Sequence, residues 1–314
     1  MPSGLTTTEQ ITLADLDLFE QGAPWKVFDE LRANSPVHWN EEAAPNHGFW
    51  SITRYHDIVG ILRDPETFTS SHFTNLEEVD AEQEEARRSL LETDGSRHRA
   101  LRRLLQGQFT PAAVAKYETF LRGITATTLD NAFAKGEFDF VSEVAADFPI
   151  NVLVRLLDVP VEDTHKLIDW GNRMVGFDDP EHADVLINSA ESEEYRLVPF
   201  RSPAALEVFE YGDALAKERR GKDGTDLVSV LVNGEMSDGI PLSERDFHTN
   251  FLLLVVAGNE TSGSSASIIG SSTTEADDAF ASSDESSPPQ AVSDPSPMRH
   301  ANPIDMGEKC LGFM

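Results

Sequence analysis

Apolar residues recur at helical spacing through most of the chain. After Pro24, the positions Trp25, Phe28 and Leu31 fall on one face, and in "RYHDIVGILRD" Ile58, Ile61 and Leu62 repeat the pattern. Proline opens a helix at no cost, because the first N–H has no partner inside it. Thr110 before Pro111 has the chemistry of an N-cap, and Val114, Tyr117, Leu121, Ile124 and Leu129 carry one apolar face onward, which predicts a single long helix. "DFVSEVAADFPINVLVRLLDVP" predicts one or two buried helical segments with a break at Pro149, and "THKLIDWGNRMVGF" predicts another helix. Two short aromatic and β-branched runs, "PVHW" and "GFWSIT", flank "EEAAPNH" and predict a small antiparallel hairpin. The expected fold class is mainly α with a small β element.

The pattern stops at Gly263. From there to Met314 serine, proline, aspartate and alanine dominate, and neither a 3.6-residue nor a 2-residue period persists. Such a segment buries too little apolar surface to offset an ordering cost of roughly 1–2 kcal/mol per residue. The expected organisation is a folded part over residues 1–262 and a disordered tail over 263–314.

Charge and composition narrow the function. With 25 basic and 55 acidic residues the formal net charge is −30, which argues against general nucleic-acid binding, a process driven by clustered Lys and Arg. The N-terminus lacks a basic start and an apolar core, so no secretory signal is expected. The longest strongly apolar run, Phe251 to Ala257, falls far short of the roughly 20 residues needed to cross a bilayer. The single cysteine, Cys310, excludes an intrachain disulfide framework and a multi-cysteine zinc site. A cytoplasmic protein with no membrane partner and no resident metal held by its own residues is expected.

Two segments carry candidate chemistry. "TDGSRHRALRRLLQGQFTP" concentrates Arg97, His98, Arg99, Arg102 and Arg103 in an acidic chain. On a helix His98 and Arg102 stand one turn apart, a spacing suited to two carboxylates or phosphates of a bound ligand. The competing reading is a solvated basic face that balances "EEVDAEQEEARR" upstream. The other segment is "FLLLVVAGNETSGSSASI", which breaks a greasy run with Gly-Asn-Glu-Thr. Thr261 can back-bond to the carbonyl of Ala257 and loosen the helix, and Glu260 in apolar surroundings can carry a proton. Alternatively Gly258 and Asn259 are a C-cap and Glu260 to Ser262 begin a solvated loop.

In order along the chain, these segments resemble the N-terminal part of a soluble bacterial cytochrome P450, a heme-thiolate monooxygenase. "GFWSITRYHDIVGILRDPETFTSS" is similar to that family's first hairpin and following helix. "HRALRRLLQGQFTP" resembles its C helix, whose H-x-x-x-R pattern contacts the heme propionates, here His98 and Arg102. "LLLVVAGNETS" resembles its I helix with the A-G-x-D/E-T motif, here Ala257, Gly258, Asn259, Glu260 and Thr261. The resemblance implies that Gly258 lets the helix pass close to heme and substrate. It implies that Glu260 and Thr261 deliver protons during oxygen activation, and that Leu253, Val256 and Ala257 line the pocket of a hydrophobic small molecule. "WGNRMVGFDDPEH" is reminiscent of subfamilies acting on terpenoids, steroid side chains or branched lipids. Electrons from NAD(P)H through a reductase and a ferredoxin are implied as well.

The chain departs from the family after the I helix. The family's E-x-x-R pair is absent there, since Glu84–Arg87, Glu85–Arg88 and Glu193–Arg196 all precede it. The iron-ligand loop F-x-x-G-x-R/H-x-C-x-G is also not matched: around Cys310, Pro303 stands for the Phe, Met306 for the Gly and Glu308 for the basic residue. Without the thiolate, the ligand that favours O–O cleavage is missing. The expectation is a truncated P450 fold with a replacement C-terminus, as after a frameshift, and the alternative function is a non-catalytic fragment unable to ligate heme iron.

Overall fold

The computed structural model of the protein describes residues 11–43, 46–140, 143–144, 147–187, 189–236 and 239–272. They form two compact units, one of residues 11–68 and 74–78, the other of residues 69–73 and 79–272.

The smaller unit holds α1 (Trp25–Asn34), β1 (Val37–Asn40), β2 (Phe49–Ile52) and α2 (Tyr55–Leu62). The strands pair antiparallel with Trp39 opposite Trp50, so the expected hairpin is present. Its core gathers Leu13, Leu31 and Phe49. Buried Asn40 organises the polar interior: its Oδ1 accepts from Leu13 N at 2.7 Å and its amide donates to Ser51 Oγ at 2.6 Å. Gly48 has φ +77°, and a Cβ there would lie 2.4 Å from the Asn40 carbonyl oxygen. Only glycine fits that turn.

The larger unit contains α3 (Ala81–Arg87), α4 (Gly95–Gln106), α5 (Pro111–Ala115), α6 (Glu118–Ala134), α7 (Asp147–Leu157), α8 (Thr164–Val175), α9 (Pro203–Arg219), α10 (Leu227–Asn233) and α11 (Glu244–Ser272). Its core runs through α7 to α11 and includes Leu153, Leu157, Leu167, Met174, Val208, Leu231, Phe251 and Val255. Gly212 of α9 lets Phe251 of α11 approach, since a Cβ at 212 would meet its ring at 2.8 Å.

Three differences from the sequence expectations have local causes. The single helix expected after Pro111 is two, because Lys116 N and Tyr117 N bond three residues back to Ala113 and Val114, a tightening that ends α5. Thr110 does cap α5, accepting from Ala113 N at 3.2 Å. Pro149 does not break a helix but lies in the first turn of α7, where its missing N–H removes no bond. Finally, α11 passes straight through Gly258 and Asn259 and on to Ser272, so those residues are no C-cap and the backbone stays helical beyond Gly263. The remainder of the 263–314 tail lies outside the described residues.

Candidate functional site

The first two turns of α11 are polar on the side that meets the segment leading into α4. Arg97 of α4 donates to Asp246 at 2.5 Å, and Arg245 pairs with Glu85 at 2.6 Å. Thr249 Oγ1 donates to the Arg88 carbonyl at 2.8 Å. Asn250, with 1% of its surface exposed, accepts from Leu90 N at 3.0 Å through Oδ1 and donates to the Asp246 carbonyl at 2.7 Å. Thr249 and Asn250 thereby exchange water for protein partners, while Arg88 Nε and Arg97 Nε are buried in the seam without one among the described residues.

His98 joins the same seam from α4. Its Nδ1 lies 3.2 Å from the Leu90 carbonyl, and the N–H of that same residue is held by Asn250 on α11. The carbonyl can only accept, so Nδ1 carries the proton and Nε2 is left for another group. In the doubly protonated ring Nε2 donates to an anion. Arg102, one turn on, is exposed and has no carboxylate partner among the described residues. Of the basic cluster, Arg97 is thus spent on α11, while Arg102 presents its guanidinium and His98 its Nε2, which donates only in the doubly protonated ring. The acidic run upstream pairs instead with Arg88, Arg196 and Arg245.

Farther along α11, Leu253 is half-buried, Val256 is half-buried and packs against the core, and Ala257 is exposed. A Cβ on Gly258 would lie 2.6 Å from Leu153 Cδ1 and 3.0 Å from Leu153 Cγ. The glycine therefore seats α11 on α7, a packing role that the sequence reading did not assign. Glu260 and Thr261 occupy the next turn of the same helix; their side chains lie outside the described residues, and so does Cys310. Also unassigned from sequence were Asp246, Thr249 and Asn250, although "RDFHTN" places polar residues at helical spacing ahead of a greasy run, which marks a buried polar contact.

A groove of about 580 Å³ runs along α5 and α6, lined by Val114, Leu121, Thr125 and Leu129 among others. None of its lining residues belongs to the seam between α4 and α11.

No family model matches the chain. Over 261 residues the chain is 30% identical to a steroid C26-monooxygenase of Rhodococcus jostii, a match that covers 80% of this chain and 52% of that protein. It is 29% identical to a methyl-branched lipid omega-hydroxylase of Mycobacterium bovis, covering 81% of this chain and 60% of the relative. Its structure superposes on a Mycobacterium marinum cytochrome P450 in complex with pseudoionone with a TM-score of 0.65 and 33% identity, covering 77% of this chain and 58% of that one. The chain is related to bacterial cytochromes P450. The mainly helical architecture with one small two-stranded sheet is the P450 fold over the matched region, and the chain spans about half the length of the curated relatives it matches.

Heme, the P450 cofactor, carries two carboxylates at one edge, which call for two donors; on α4, His98 has its ring set by Leu90, and Arg102, one turn on, is exposed. A sulfur ligand for its iron is not found among the described residues. No helix among the described residues is long and apolar enough to cross a membrane.

Proposed function

We propose that this chain carries the propionate-binding and substrate-facing part of a heme-dependent monooxygenase that hydroxylates a hydrophobic small molecule, of terpenoid, steroid or lipid type. The observation that supports this reading is the link from His98 through the Leu90 peptide to Asn250, which ties the imidazole to α11 and leaves its Nε2 for an anion. Heme, when bound, supplies the oxygen-activating chemistry. The residues of the chain do the rest: His98 and Arg102 hold the carboxylates, Leu253, Val256 and Ala257 present apolar surface, and Gly258 keeps the helix slim. Glu260 and Thr261 are placed one turn later to hold and pass protons. Electrons come from NAD(P)H through a reductase and a ferredoxin, and the compartment is the cytoplasm.

A second reading is a non-catalytic fragment of such an enzyme. It is favoured by the open apolar groove on α5 and α6.

Hemin titration of the full chain, followed by reduction under carbon monoxide, tests both. Saturable hemin binding is expected, weakened about 10- to 100-fold by Arg102→Ala or His98→Ala, the equivalent of a charged hydrogen bond of about 1.5–3 kcal/mol. A thiolate-type absorbance shift with carbon monoxide supports the enzyme. Hemin binding without that shift supports the fragment. Hemin binding indifferent to both substitutions overturns the assignment of the site.

A further inference from the structure

In the larger unit, a histidine from α11 meets carboxylates from two helices. His248 Nε2 lies 2.7 Å from Asp213 Oδ1 of α9, and Glu244 stands one turn before His248 on α11. One donor atom from each of the three lies within 4.8 Å of the others. The imidazole is not a swinging surface group. It stacks on Phe209 with ring centroids 4.7 Å apart and planes 10° from parallel, and the Phe247 ring lies tilted to it with centroids 6.0 Å apart. That ring packing fixes where Nε2 points.

The local charge balance is short of a cation. The neighbouring residues on the same helical turn are satisfied, Arg245 by Glu85 and Asp246 by Arg97. Among the described residues, Glu244 has no basic partner, and Asp213 has only the imidazole. Two carboxylates and an imidazole nitrogen that converge on one point gain from a shared metal cation. The partial charge of about +0.5 at a helix N-terminus is smaller than their combined −2.

We propose that Asp213, Glu244 and His248 bind one divalent transition-metal ion, zinc by preference, which clasps α9 to the start of α11. Zinc takes imidazole nitrogen and carboxylate oxygen at about 2.0–2.2 Å. Tetrahedral ligand atoms then stand about 3.4 Å apart, which small side-chain rotations supply from the observed spacing. Magnesium and calcium require more oxygen donors than this set offers. A fourth position remains for water. The clasp lies at the end of α11 that also carries the Asp246–Arg97 and Asn250–Leu90 contacts, so bound zinc stiffens the base of that seam.

The test uses the untagged full chain, stripped with a chelator and titrated with zinc chloride by calorimetry, with thermal melts in parallel. One zinc per chain is expected, with a rise in Tm that saturates with occupancy. Asp213→Asn and Glu244→Gln, nearly isosteric changes at exposed positions, should each weaken binding by more than about tenfold, and millimolar magnesium should not displace the ion. His248→Ala should abolish binding, but it also removes a stacked ring, so the two carboxylate variants carry the decision. Absence of saturable uptake, or uptake unchanged in the Asp213→Asn/Glu244→Gln double variant, overturns the proposal.

Discussion

At Gly258 a hydrogen atom occupies space that a methyl group would contest with Leu153, a residue only 4% exposed. A close approach at this glycine was legible through the family resemblance, as one to heme and substrate. Which neighbour it served was not, because Leu153 is about a hundred residues away in the chain and only packing joins them. Gly258→Ala gains about 1 kcal/mol of helix propensity and incurs about 1–3 kcal/mol of overpacking. Net destabilisation of about 1 kcal/mol is expected in urea melts. Leu153→Ala alone should cost about 2–5 kcal/mol, and less in the Gly258→Ala background, where the new methyl fills part of the vacated space. A double-mutant cycle with no coupling would separate the two residues.

Among the elements, α11 is held at its base by side chains rather than by hydrophobic contact alone. Asn250→Ala leaves the half-buried Leu90 N–H without its partner and takes the side-chain donor from the Asp246 carbonyl, which keeps its helical N–H. A loss of about 1–3 kcal/mol is expected, with hemin affinity falling as well, because Leu90 also positions His98. A second junction joins α8 to α9: Arg173 forms a bidentate pair with Glu207 at 2.7 and 3.1 Å, reaches Asp184 at 2.7 Å, and Trp170 Nε1 donates to Glu207 at 2.8 Å. The Arg173 hydrogen bond holds the Glu207 carboxyl below its usual range, against a smaller opposing push from burial. A carboxyl lowered in the folded state stabilises the fold above the ordinary carboxylate range and loses that contribution as pH falls through the lowered value. Glu207→Gln should therefore reduce Tm near neutral pH, and the gap to the parent chain should close as the solution is acidified below about pH 4. Glu207 is nearly half exposed, so the effect is modest, about 1 kcal/mol or less. Periodicity located α8, but it could not pair Arg173 with Glu207, since charge partners across a fold leave no local pattern.

For the whole molecule, sequence order gave more than any single motif. The hairpin, the helix carrying His98 and Arg102, and the helix carrying Ala257 to Thr261 follow one another as in the P450 fold, and the structure has those elements in that order. The exposed apolar residues were harder to foresee. Val114, Tyr117, Leu121, Ile124 and Leu129 read as one apolar face, yet Val114 is exposed and the others are only half-buried, with Leu121 and Leu129 on the open groove. Periodicity reports that a face is apolar and is silent on whether anything covers it. The account predicts that the purified chain binds a fluorescent apolar dye and self-associates, and that Leu121→Lys with Leu129→Lys suppresses both while shifting stability by less than about 1 kcal/mol. Unchanged dye binding in that variant would place the sticky surface elsewhere. The central claim, that heme is met by its carboxylates at α4, is tested most directly by a crystal structure of the chain soaked with hemin. The account predicts propionate oxygens within hydrogen-bonding distance of His98 Nε2 and the Arg102 guanidinium; a porphyrin lodged in the α5–α6 groove, with both side chains facing solvent, would contradict it.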